Sequence, residues 1–121
     1  MKKLLTGLFI VVMLQGCASV AVVKKYWPRD HDPVMFSNLV SLDIAIDNVN
    51  CEKPDWSAAI SSSKHLAQYA EWRKDPQSEN ILGLHKHLEK MGQGGSKVFC
   101  ELGKKTSTQR INAARSAWES R

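Results

Sequence analysis

The sequence predicts a small all-α domain, a bundle of about four helices held by one disulfide and preceded by a signal peptide and a tether. Three observations carry this. Apolar residues recur at helical rather than alternating spacing from Met35 onward. Asp-Pro pairs at 32–33 and 75–76 supply a helix cap followed by proline in the first turn. Three cysteines leave one pair, Cys51 and Cys100, once Cys17 is set aside. The chain has 121 residues, 43% of them hydrophobic and 24% charged, which allows one globular domain and excludes wholesale disorder. The reading divides it into 1–16, a signal peptide; 17–32, a tether; and 33–121, a helical domain.

Lys2 and Lys3 form a short positive start, and Leu4 to Leu14 is uncharged and mostly apolar. This is the pattern of a secretory signal. Leu14-Gln15-Gly16-Cys17 follows directly. That run resembles the lipobox of bacterial lipoproteins. The resemblance implies cleavage before Cys17, a diacylglycerol on its sulfur and an acyl chain on the new amine, with no other cofactor. It further implies, from Ala18 in place of Asp, sorting to the outer membrane with the domain at its periplasmic face. The competing reading is an uncleaved transmembrane helix, since no charge interrupts Leu4 to Val23. Gln15, Gly16 and Ser19 weaken it, and Lys24 and Lys25 would lie on the translocated side, against the positive-inside tendency.

The precursor carries +5 at pH 7. Without Lys2 and Lys3 the mature chain keeps fifteen basic and twelve acidic side chains, a balance of +3. With export expected and no supporting motif, nucleic acid is excluded as a partner, and no small-molecule substrate is expected. The tether holds Lys24, Lys25, Tyr26 and Trp27. These residue types favour a membrane surface, so a collar on the bilayer is one reading; a plain linker whose Trp27 packs on the domain is the other. From Ala18 to His31 the chain reaches at most about 45–50 Å.

Asp32 and Pro33 begin the first helix, which runs to about Asn48 with Met35, Phe36, Leu39, Val40, Leu42, Ile46 and Val49 inward. Asn50 to Pro54 is a turn, and Asp55 caps a second helix to about Arg73. Its apolar side is Trp56, Ile60, Leu66, Ala67, Tyr69 and Ala70, with Ser61-Ser62-Ser63 as a solvated or close-packed stripe. A nucleophilic serine paired with His65 lacks an orienting group and an oxyanion hole. Asp75-Pro76 starts a third helix to about Met91, with Ile81, Leu84, Leu88 and Met91 inward and His85 and His87 outward. The glycines at 92, 94 and 95 end it, without the Lys-Ser/Thr or the preceding strand of a phosphate loop. Ser96 caps a fourth helix through Val98, Phe99, Leu102, Ile111, Ala114 and Trp118, which Gly103 and Thr106-Ser107-Thr108 are expected to break in two.

In an oxidising periplasm the pair Cys51 and Cys100 reads most simply as a disulfide. A cysteine nucleophile would need a positioned histidine and a supporting sheet. A zinc site with His85 and His87 fails because i and i+2 side chains diverge by about 200° on a helix, so no metal is expected.

No catalytic motif emerges, and the expected role is a non-catalytic interaction module with an envelope protein partner. From Ile81 to Arg121 there are eight bases and three acids, against four and seven from Asp43 to Asn80. That asymmetry makes Lys104, Lys105, Arg110, Arg115 and Trp118 the candidate partner-binding residues. Segments such as Trp72-Arg73-Lys74-Asp75-Pro76-Gln77 and the 113–118 tail resemble small phage-encoded envelope lipoproteins, which implies a role in lysis or in excluding a second phage. A pilotin-like targeting factor for a secretion channel, an architectural likeness, and an inhibitor of an envelope enzyme are the alternatives.

Overall fold

The carboxylate of Asp32 accepts from the backbone N–H groups of Val34 and Met35 at 3.0 and 3.1 Å, and Pro33 occupies the first turn, where no N–H is required. Helix α1 therefore starts as the sequence predicts and spans Pro33–Asp47. The structure, a computed structural model, describes residues 31–120. Three further helices follow: α2, Ser57–Trp72; α3, Ser78–Met91; and α4, Lys97–Glu119. Among the described residues there is no strand.

The helices run alternately up and down. α1 packs on α2, α2 on α3, α3 on α4, and α4 returns to α1, closing a ring around one core. Leu42, Ile46, Leu66, Ile81, Leu84 and Leu88 are fully buried there. Each contributes about 1.5–3 kcal/mol relative to an exposed position. The Cys51–Cys100 disulfide ties the α1–α2 loop to the first turn of α4, with Cα atoms 5.6 Å apart.

Asp32 marks one end of the bundle, the entry end. Its carboxylate also accepts from Tyr69 Oη at 3.0 Å and pairs with Arg73 Nε at 3.3 Å. Burial opposes ionisation of Asp32, but the bonds from Met35, Tyr69 and Val34 and the charge of Arg73 outweigh it and hold the carboxyl below its ordinary value. A carboxyl lowered on folding stabilises fully above its unfolded pKa, and this contribution disappears as pH falls through the folded-state value. Asp32→Ala should therefore cost about 1 kcal/mol at neutral pH, the usual loss of a cap. Urea unfolding should show that gap narrowing in acid below the carboxylate range; a constant gap would contradict the assignment.

At the same end, α2 closes in a Schellman turn. Asp75 N–H donates to Ala70 O and Lys74 N–H to Glu71 O, both at 2.9 Å. Lys74 sits at the left-handed position with φ 51°, where glycine is the usual residue. A side chain there costs about 1 kcal/mol.

Several expectations are corrected. Asp55 and Asp75 accept from Ser57 N and Gln77 N, so each makes a turn just ahead of its helix, and the helices begin at Ser57 and Ser78. Helix α4 is unbroken for 23 residues. Gly103 faces Met91 so closely that a methyl group would meet its thioether at 2.3–2.4 Å, and the buried Ser107 hydroxyl donates to Gly103 O at 2.7 Å. The small residues are a packing stripe that lets α3 approach. Val40 is exposed and Phe36 half-buried, because α1 turns only the Met35–Leu39–Leu42–Ile46 stripe inward. Val98, Phe99 and Leu102 are likewise exposed.

Candidate functional site

The residues proposed from charge on α4 do not converge. At 100° per residue, Lys104 and Arg115 lie toward α1, Arg110 toward α3 and Lys105 outward. Lys104 Nζ donates to Asp47 O and Val49 O, both at 3.0 Å, placing its charge at the negative end of α1. The Arg110 guanidinium lies across Gly83, and Asn80 Nδ2 donates to Arg110 O at 3.1 Å. Arg115 faces Glu119 at 3.8 Å. Lys105 is exposed.

Trp118 is a correction. It is 3% exposed, and its indole N–H donates to Asp75 Oδ1 at 3.0 Å. Its spacing from Ile111 and Ala114 continues the core stripe of α4, so the ring packs inward and pins the α2–α3 turn. It is unavailable to a partner. Cys17, Lys24, Lys25, Tyr26 and Trp27 lie outside the described residues.

A polar chain between α2 and α3 went unanticipated. Ser63 Oγ lies 2.8 Å from His85 Nδ1, and His85 Nε2 lies 3.3 Å from Glu89 Oε1. His85, expected outward, is buried because α2 covers it. The set has the composition of a serine–histidine–acid triad, but not the access. Ser63 is 0% exposed, and its hydroxyl also reaches Ile60 O at 2.9 Å. When the hydroxyl donates to Ile60 O, Nδ1–H donates to Oγ and is no base. When it donates to Nδ1, Oγ is still sealed from any substrate carbon. The chain's role is to satisfy polar groups where two helices meet. A groove of about 500 Å³ opens beside it, edged by Lys64, Gln68, Glu71, Glu79, Leu82 and His85. Among the described residues no group of histidine, cysteine, aspartate or glutamate side chains has the arrangement of a metal site.

Among the described residues apolar side chains are exposed on the outside of α1, at Val40 and Ile44, on α3, at Leu82, and at both ends of the bundle. At the far end, beside the disulfide, Val98, Phe99 and Leu102 are exposed on the first turns of α4. At the entry end Trp72 is 75% exposed, the most exposed of the large hydrophobic side chains, with Val34 also exposed. Trp72 falls outside the Leu66–Ala70 stripe that α2 turns inward.

Comparison with protein-family models, with curated proteins and with solved structures finds no match. Among the described residues no helix is long and apolar enough to cross a membrane.

Proposed function

We propose that the chain is a lipid-anchored envelope protein whose helical domain acts by binding, not catalysis, at the periplasmic face of the outer membrane. The observation that carries this is the fate of the cysteines. Cys51 and Cys100 are joined, which suits an oxidising compartment. The third, Cys17, stands directly behind an uncharged apolar run, in Leu14-Gln15-Gly16-Cys17. Several acyl chains on one residue anchor stably, at about 0.8 kcal/mol per buried methylene. The exposed Val98, Phe99 and Leu102 form an uncovered apolar patch at the end of the bundle opposite Asp32, which suits a partner in the periplasm.

Cys17→Ser tests the anchor. The variant should leave the membrane fraction after processing or accumulate as precursor, and the wild-type amino-terminal peptide should carry acyl mass. Unchanged membrane partition with unchanged mass would restore the transmembrane reading.

A further inference from the structure

We propose that the entry end of the bundle is a bilayer-contact face, with Trp72, Lys74 and Val34 resting in the headgroup region of the membrane that holds Cys17. This rests on the lipid-anchor reading above.

The first argument is where the tether attaches. Asp32 is gripped by Arg73 and Tyr69, so the chain joins the domain beside the α2–α3 turn. Ala18 to His31 is the whole distance between the anchor and that point. A connection this short raises the effective concentration at the bilayer of the surface nearest to it, and that surface is the entry end.

The second argument is what the surface presents. Trp72 adjoins Arg73, the residue that holds Asp32, and projects from the last position of α2. Tryptophan combines an apolar ring with an N–H donor, and lysine an apolar stem with a charged head; both types concentrate at the headgroup level. Val34, in the first turn of α1, adds apolar area at the same end.

The third argument is rigidity. Asp75 accepts from Gln77 N at 2.8 Å and from the Trp118 indole at 3.0 Å, so the turn is fixed from below by α4. Lys74 occupies a left-handed position that glycine would fill at lower cost. Its side chain is exposed beside the exposed Trp72, which places the amine where it can meet headgroup phosphates. Charge alone does not make the face: Arg73 is engaged with Asp32, and Glu71 is exposed nearby. The contact is therefore led by the Trp72 ring, and it fits a bilayer interface better than an acidic protein.

The test uses the acylated full-length mature protein with Trp27→Phe, in phosphatidylethanolamine–phosphatidylglycerol vesicles with and without brominated acyl chains. Trp56 and Trp118 are core residues, so Trp72 is the described tryptophan placed to meet bromine. Most Trp72 emission should be lost to brominated lipid, and adding Trp72→Phe should abolish the lipid-dependent part. Leu102→Trp in that double-Phe background reports on the far end and should stay unquenched. Lys74→Gly should raise the thermal midpoint while weakening the quenching of Trp72; a variant more stable and equally quenched overturns the role of Lys74. The mass of the amino-terminal peptide separates the two readings. An unacylated Cys17 overturns both. An acylated protein whose Trp72 ignores brominated lipid overturns this inference alone, as does a Leu102→Trp probe quenched just as strongly. Trp72 shielded from acrylamide yet insensitive to bromine means that protein covers it, which also overturns the proposal.

Discussion

Loss of the Cys51–Cys100 bridge should destabilise the domain by about 4 kcal/mol, the chain-entropy value for a loop of this size. The cysteines are 49 residues apart in sequence, so the bridge closes a loop that holds all of α2 and α3 when the chain unfolds. A domain of this length has about 5–15 kcal/mol in total, so the loss is a large share. The midpoint of thermal unfolding should fall by about 20 °C on reduction. Cys51→Ala with Cys100→Ala should reproduce it without a reductant. Equal stability of the reduced, double-alanine and native proteins would mean that the bridge contributes nothing and that helix packing alone holds the ring.

Trp118→Ala should be nearly as damaging, costing about 3–5 kcal/mol as other large-to-small core truncations of aromatics do. The ring fills the space between the end of α4 and the α2–α3 turn, and its N–H is a partner of Asp75. Trp118→Phe keeps most of the apolar volume and loses the donor, so it should cost about 1–2 kcal/mol. Urea unfolding of the two variants separates the effects. A surface binding residue would behave differently: both substitutions would leave stability unchanged and alter only partner capture.

The bridge and Trp118 show what was legible in the sequence and what was not. The cysteine pair needed only counting and a compartment. Four helices followed from caps and spacing, and Asp32, Pro33 and Ser96 act as the local rules require. The start of α3 was misplaced because Asp75 bonds to Gln77 N, forming a turn before the helix that a capping pattern alone does not separate from a cap. The continuity of α4 was hidden for another reason. Glycine and β-branched residues weaken an isolated helix, yet Gly103 is where Met91 needs room, and tertiary contact overrides propensity. Site geometry was least accessible. Ser63 and His85 meet across 22 residues through the register of α2 on α3, which neither helix's own pattern specifies. The basic excess of the second half was visible, but not its use. Lys104 spends its charge on Asp47 O and Val49 O, more than fifty residues away.

The ring of helices closes on itself, since α4 packs against α1 and the chain enters and leaves the described fold at the same end. Such an arrangement has a cyclic order rather than a beginning. Joining Ser120 to Asp32 with a short linker and opening the chain at Gly94 would preserve every helix pair, because Gly94 is exposed and has open space where a side chain would stand. The permuted chain would carry its new ends at the tip beside Val98 and Leu102. Those ends would lie the length of the bundle away from Asp32, so a protein fused there would stand clear of the end where the described chain now begins and ends.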